Sequence, residues 1–156
     1  MAIAPTLERY LASKHIDYDL IKHQPTISST RTAEACRISG DLLAKPVVLR
    51  DGSGYILAIL PASHHIRLAD LTLRLGFDVD LATEHEIEQL FDDCAPGAVP
   101  PAGECYGLDV IVDDSIERQP EVYLEGGDHA TLIHLSRAQF ARFTSNAWRG
   151  HFSVHD

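Results

Sequence analysis

A seven-residue loop between a helix and a strand has the sequence Gly97-Ala98-Val99-Pro100-Pro101-Ala102-Gly103. It follows the acidic helix end Phe91-Asp92-Asp93 and precedes an apolar, strand-like stretch at 108–112. Two prolines stiffen the middle of the loop, and the glycines leave its two ends unhindered. Such a loop can be a rigid turn, or it can hold peptide N–H groups in fixed positions for a ligand.

Helix and strand signals mix along the rest of the chain. Helices are predicted over 6–15, 31–37, 68–75, 84–91 and after Ser136, and strands over 17–22, 47–49, 55–60, 77–79, 110–112, 122–124 and 131–135. Asp51-Gly52-Ser53-Gly54 predicts a hairpin turn. Because the elements show no regular βαβ alternation, we predict one α+β domain over 1–156 with a largely antiparallel or mixed sheet. The tail from about residue 145 carries no clear signal.

Composition and charge restrict the class of protein. The chain has 156 residues and 45% hydrophobic content, without an apolar run near the roughly 20 residues that cross a bilayer. Lacking a signal peptide pattern, it is expected in the cytoplasm, with no membrane partner. Cys36, Cys94 and Cys105 form no Cys-x-x-Cys pair, which argues against a disulfide framework or a thiolate zinc site.

The net charge of −10 argues against broad nucleic-acid binding, and we expect no DNA partner. A protein that grips only the end of an RNA is still compatible with this charge, provided that a local basic rim exists. Candidate rim residues are Lys14, Lys22, Arg31, Arg37 and Arg50, whose ordinary alternative role is solubility.

Lys45 opens the apolar stretch Ala44-Lys45-Pro46-Val47-Val48-Leu49. The residue before a proline is restricted to extended backbone, so Lys45 is expected at the mouth of a strand. A partly enclosed ammonium there can hold a phosphate, a carbonyl oxygen or a terminal hydroxyl. The common alternative is a surface lysine whose stem covers apolar neighbours.

These two segments and three others carry a family resemblance. The others are Thr32-Ala33-Glu34-Ala35, Ala58-Ile59-Leu60-Pro61 and Gly126-Gly127-Asp128-His129. With them, in this order, the chain resembles the YbaK family of aminoacyl-tRNA editing proteins, relatives of the editing domain inserted in bacterial prolyl-tRNA synthetases. The resemblance implies a curved mixed sheet flanked by helices. It also implies a deacylase in which catalysis leans on the terminal ribose hydroxyl of the substrate.

The chain departs from the family pattern at Pro46, Ala98, Pro100 and Ala102; at Ala98 the family often has a second glycine. These departures leave the amino acid that is recognised open. With this resemblance, we expect a trans-acting aminoacyl-tRNA deacylase whose partner is the acceptor end of the tRNA. An aminoacyl-tRNA synthetase is a further candidate partner.

The expected site combines a cation with backbone donors. Lys45, Gly97 and Pro101 are the predicted catalytic residues. Lys45 would position the substrate, and the loop from Gly97 to Pro101 would supply backbone N–H groups, which are worth about 3 kcal/mol each when they point at the ester carbonyl oxygen. Substrate contacts are predicted for Ser29, Thr30, Ala98, Val99, Pro100, Gly103 and His129. Alternatively, Ser28, Ser29 and Thr30 only cap a helix, and His129 is a turn histidine bonded to backbone.

No cofactor and no metal are expected, because the histidines show no His-Glu-x-x-His pattern or other ligand spacing. Asp113-Asp114 is expected at a solvated turn. No Gly-x-Ser-x-Gly elbow is present either. Two alternatives stay open: a binding module that holds an aminoacyl-tRNA or a synthetase without hydrolysis, and a small-molecule aminoacyl esterase.

Overall fold

The computed structural model describes residues 3–25 and 28–156. In these ranges the helices are α1 (Pro5–Ser13), α2 (Ser29–Cys36), α3 (Leu68–Leu75), α4 (Glu84–Leu90), α5 (Asp114–Glu117) and α6 (Arg137–Phe143). The strands are β1 (Asp19–Lys22), β2 (Ala44–Arg50), β3 (Tyr55–Pro61), β4 (His64–Ile66), β5 (Asp80–Leu81), β6 (Asp109–Asp113), β7 (Glu121–Glu125), β8 (Thr131–Ser136), β9 (Trp148–Gly150) and β10 (Ser153–His155). Each of these described helices is too short or too polar to cross a membrane.

The described strands form three sheets. The largest has the order β5-β2-β3-β6-β9, antiparallel around β2 and parallel where β6 pairs with β3 and β9. A second, antiparallel sheet has the order β1-β8-β7, and β10 pairs with β4. A bridge between Leu43 and Tyr123 joins β7 to the chain just before β2. The predicted α+β fold with a mixed sheet is therefore confirmed.

The β2–β3 hairpin fixes the direction of Lys45. Its turn is held by Asp51, whose Oδ1 accepts hydrogen bonds from the backbone N–H groups of Ser53 (2.6 Å) and Gly54 (2.8 Å). The apolar run of β3 is buried from Ile56 onward, which anchors the hairpin in the centre of the sheet. The register places Lys45 opposite Leu60, at the far end of the hairpin from the turn.

The outer edge of β2 is only partly covered. β5 pairs with Leu49 and Arg50, and Ala82 donates its N–H to the carbonyl oxygen of Val48 (2.9 Å). Within the described ranges, no strand pairs with residues 45–47 on the side away from β3. Pro46, which has no N–H to donate, lies in this open stretch, as expected for an edge. The open edge borders the cavity described below.

Several local predictions differ from the structure. The strand predicted over 77–79 is wrong, because pairing along the β2 edge begins only at Asp80. Asp113 is fully buried, not solvated: it accepts a hydrogen bond from the backbone N–H of Phe152 at 2.7 Å. The tail beyond 145 forms β9 and β10, which complete two sheets.

Candidate active site

A cavity of about 490 Å³ lies beside the open edge of β2, and we call it the β2 cavity. It is lined by Ser28, Ser29, Lys45, Pro46, Val47, Val48, His65, Ile66, Leu81, Ala82, Glu84, Ile87, Gly97, Val99, Glu125 and His129. Apolar side chains and polar or charged side chains line it in nearly equal numbers, so the cavity offers both apolar contacts and hydrogen-bonding groups. Of the predicted site residues, it brings together Ser29, Lys45, Gly97, Val99 and His129.

Lys45 presents a half-buried ammonium group to this cavity. Its Nζ donates a hydrogen bond to the carbonyl oxygen of His64 in β4, at 2.5 Å. That bond uses one of three N–H donors and fixes the direction of the side chain. Burial lowers the pKa of Lys45, and the carboxylate of Asp156 partly opposes this shift. The side chain is therefore held in place and keeps donors for a bound ligand.

The start of the loop offers backbone donors. In the described part of the chain, the N–H groups of Gly97 and Val99 form no hydrogen bond, whereas that of Ala98 donates to the carbonyl oxygen of Ala95 at 3.0 Å. Gly97 has a φ of 81°, in the left-handed region that favours glycine. Gly97 and Val99 both line the cavity. The start of the loop thus contributes to the cavity wall two residues whose N–H groups are unused among the described residues.

His129 packs against Gly97. A β-carbon on Gly97 would lie 3.3 Å from Cε1 of the imidazole. The ring Nε2 lies 2.5 Å from the carbonyl oxygen of Pro96; since a carbonyl oxygen only accepts, Nε2 carries the hydrogen. In a neutral ring Nδ1 is then an acceptor. His129 is both bonded to backbone, as one interpretation predicted, and exposed to the cavity, as the other required.

Glu125 also lines the cavity, and the sequence did not single it out. It ends β7 and is 7% exposed. Its Oε1 accepts a hydrogen bond from the hydroxyl of Thr32 at 3.0 Å, while its Oε2 is buried and has no hydrogen-bond partner among the described residues. Burial raises the pKa of Glu125, and the nearby His23 and His129 oppose this shift. The sequence offered one signal for this residue: a glutamate at the end of an apolar strand, directly before Gly126-Gly127.

The N-terminus of α2 borders the cavity through Ser28 and Ser29. Ser28 is the N-cap residue, and its hydroxyl accepts a hydrogen bond from the N–H of Arg31 at 3.1 Å. Thr30 is exposed and borders a separate depression near Arg37 and Asp156. The structure therefore brings Ser29 to the β2 cavity and leaves Thr30 outside it.

The remaining loop residues do not line the β2 cavity. Ala98 and Pro100 are buried, and Pro101 and Gly103 border a second cavity of about 230 Å³, next to Tyr10 and Trp148. Gly103 has a packing reason of its own, because an added β-carbon would lie 2.5 Å from Cγ2 of Val110. The start of the loop thus lines the β2 cavity with residues whose N–H groups are free within the described ranges, whereas its end is packed against neighbouring side chains.

Two of the cysteine thiols near the loop are poor nucleophiles. Burial raises the pKa of Cys94 to about 11 and that of Cys105 to about 12. Because a thiolate is the reactive form, both thiols are inert near neutral pH. In the described residues, the group with ligand atoms close enough to share a metal ion is Asp113, Asp114 and His151, and none of these lines the cavity.

Three of the five predicted rim cations are paired with acidic side chains. Lys14 lies 3.7 Å from Glu104 beside the second cavity, Arg31 pairs with Glu34, and Arg50 lies 3.3 Å from Glu86. Each of these cations already has an acidic neighbour. The Arg31–Glu34 pair is solvated on both sides, whereas Lys14 and Glu86 are largely covered.

The α+β fold and its cavity, which combines residues whose backbone N–H groups are free in the described chain, a hydrogen-bonded lysine and a histidine, agree with the family to which the sequence comparison assigns the chain. The chain belongs to the aminoacyl-tRNA editing domain family, whose sequence model matches residues 23–143. The resemblance on the five quoted motifs is thereby confirmed. No curated protein matches the chain by sequence.

Solved structures share the fold at low sequence identity. A provisionally assigned trans-editing enzyme for prolyl-tRNA synthetase is 21% identical, with a TM-score of 0.82 over 97% of this chain and 96% of the other. The hypothetical protein APE2540 is 19% identical, with a TM-score of 0.82 over 96% and 99% of the two chains. A provisionally assigned signal transduction protein from Marinobacter aquaeolei VT8 is 21% identical, with a TM-score of 0.76; the match covers 96% of this chain and 30% of the other.

Proposed function

We propose that this protein is a trans-acting, metal-independent deacylase that hydrolyses the ester bond of a mischarged aminoacyl-tRNA. The observation that carries the proposal is that one cavity is lined both by Lys45 and by two residues whose N–H groups are unused among the described residues, Gly97 and Val99. Membership of the aminoacyl-tRNA editing domain family supplies the substrate class. The trans-acting mode accords with the structural neighbour assigned to prolyl-tRNA synthetase editing.

In the proposed reaction, the ester carbonyl oxygen lies at the N–H groups of Gly97 and Val99. A water molecule adds to the carbonyl carbon, and the negative charge that develops on the oxygen is stabilised by these donors, at about 3 kcal/mol each. The bond from the carbonyl carbon to the ribose oxygen then breaks. The products are a free amino acid and a tRNA with a free terminal hydroxyl, which takes up the proton.

Lys45 would orient the substrate in this scheme. Its ammonium is directed by the carbonyl oxygen of His64, so its remaining donors point consistently to a phosphate or hydroxyl of the terminal nucleotide. An aminoacyl ester is already reactive, and positioning plus oxyanion binding is a sufficient catalytic device for it. The high pKa of the Cys94 thiol agrees with a mechanism without a cysteine nucleophile.

The experiment is a deacylation screen of the purified protein across tRNAs charged with correct and incorrect amino acids. We expect one or a few mischarged species to be hydrolysed faster than in buffer and faster than the correctly charged ones. Tight binding without hydrolysis of any species would favour the non-catalytic module. Equal hydrolysis of aminoacyl-tRNA and of simple aminoacyl esters would favour the small-molecule esterase.

A further inference from the structure

Glu125 lies in the wall of the β2 cavity among both apolar and polar side chains. Its carboxyl group is nearly fully buried, and one of its two oxygens has no hydrogen-bond partner within residues 3–25 and 28–156. A buried carboxylate without a partner is costly, whereas one that receives a charge-assisted hydrogen bond is stabilised. Glu125 thus lies in the cavity wall with one carboxyl oxygen bonded to Thr32 and the other, Oε2, without a hydrogen-bond partner among the described residues.

The cavity also holds a cation that is separate from this acid. Neither Lys45 nor Glu125 takes part in an ion pair with any described residue, although both line the same cavity. An acid and an amine that are kept apart are complementary to a ligand with a positive group at one position and negative charge at another. An aminoacyl ester has this distribution, with an ammonium on its α-carbon and phosphate or a developing oxyanion close by.

The position of Glu125 relates it to the ester carbonyl. The turn after β7 is joined to the loop by a hydrogen bond from the N–H of Ala95 to the carbonyl oxygen of Gly127, at 2.8 Å. In the same turn, the ring of His129 contacts Gly97. Glu125 thus directly precedes the turn that packs against Gly97, where the ester carbonyl is proposed to bind. The α-ammonium, two bonds from the carbonyl carbon, is the donor common to all aminoacyl esters.

We infer that the free Oε2 of Glu125 binds the α-ammonium group of the aminoacyl ester and makes the site selective for substrates with an unmodified amino group. This inference rests on the proposed function and adds a specificity-determining residue to it. Thr32 is the positioning residue, since its hydroxyl holds the other carboxyl oxygen at 3.0 Å. Esters whose amino group is acylated or replaced are expected to be rejected, because they leave the buried carboxyl group unpaired.

The test measures binding of 3′-alanylamino-3′-deoxyadenosine, in which an amide replaces the ester, and of its N-acetylated form. For the unmodified protein we expect N-acetylation to weaken binding at least about tenfold, the range for a charge-assisted hydrogen bond. In Glu125→Gln this difference should fall to less than about threefold, mainly through weaker binding of the free amine. Glu88→Gln, which removes an exposed carboxylate from α4, should keep the full difference.

Equal binding of the two compounds by the unmodified protein, or binding of neither, overturns the inference. Retention of the full difference by Glu125→Gln overturns it as well. A melting temperature for each variant shows that the compared proteins are folded. The proposed function is decided separately by the deacylation screen. Hydrolysis of N-acetylated and free aminoacyl-tRNA at the same rate would leave the deacylase standing and refute the role of Glu125.

Discussion

The imidazole of His129 lies against the backbone of Gly97, so that a β-carbon at position 97 would be 3.3 Å from ring atom Cε1. Gly97 also has a φ of 81°, and its N–H group is free among the described residues. Any side chain here would push on the ring and disturb the proposed carbonyl site. Backbone conformation and cavity shape therefore both require glycine at this position.

Gly97→Ala should reduce the single-turnover rate of deacylation at least about tenfold, a loss of about 1.4 kcal/mol of transition-state stabilisation. The matched control is Gly76→Ala, because Gly76 has a φ of 85° and an added β-carbon there meets no atom within 4 Å. Both variants should lose about 1–2 kcal/mol of stability from the left-handed backbone. Equal rates per folded molecule in the two variants would mean that the loop start is only a connector.

Lys45→Ala should lower deacylation at least about tenfold while the protein stays folded. The side chain is half-buried and burial lowers its pKa. Its removal should therefore affect the positioning of the substrate more than the stability of the fold. Lys22→Ala serves as the control, since Lys22 is exposed at the end of β1 and absent from the cavity wall. An unchanged rate for Lys45→Ala on the best substrate would refute the assignment of Lys45.

Glu125→Gln should stabilise the protein at neutral pH more than at acidic pH. The unfolded glutamate titrates near 4.5, and burial raises the pKa in the folded state. Above about pH 4.5 the folded state therefore binds more protons than the unfolded state, and stability falls as pH rises through the folded-state pKa. The melting temperatures of the two proteins should be close near pH 4, with the variant higher near pH 7.5. A variant that melts below the unmodified protein near pH 7.5 would contradict this.

The thiols of Cys94 and Cys105 should react slowly with disulfide reagents in the native protein. With a pKa of about 11, the thiolate fraction of Cys94 at pH 8 is roughly a hundredfold below that of an ordinary thiol. The measurement is the rate at which the protein thiols react with the reagent in native and in denatured protein. The rate of deacylation is followed in the same samples. Fast modification of Cys94 coupled to loss of activity would point to a cysteine nucleophile.

Deacylation should survive treatment with EDTA. The cavity wall has no cluster of metal ligands within the described residues, and the sequence has no ligand spacing typical of zinc. The assay compares rates before and after chelation on the substrate found by the screen. Loss of activity that zinc or manganese restores would show that the histidines were misinterpreted.

The sequence predicted those elements whose signals are local. Helices begin after Thr83 and after Ser136, as predicted, and both starts are capped by hydrogen bonds between residues three positions apart: Thr83 with Glu86, and Ser136 with Gln139. β4 and β10 were not predicted, because each is three residues long and its partner lies about ninety positions away. Asp113 was placed in solvent for the same reason: its partner, the N–H of Phe152, is distant in the chain.

The sequence predicted only part of the candidate site. Lys45 and Gly97 could be proposed from their motifs, and the fold places both at one cavity. Pro101 and Gly103 were grouped with Gly97 because all three belong to the loop that carries the family resemblance, but the structure places Pro101 and Gly103 at a different cavity. Glu125 was missed because its burial and its bond to Thr32, 93 positions away, are tertiary properties.

The pairing of β10 with β4 bears on how the protein can be divided. β4 supplies the carbonyl oxygen that directs Lys45, and its described partner strand, β10, lies beyond residue 143, where the family match ends. Before residue 23, α1 contributes the fully buried Leu7 and Leu11 to the core. A fragment cut at the ends of the recognisable family segment would lack both supports. We therefore expect the segment that folds stably on its own to be longer than the segment that matches the family model.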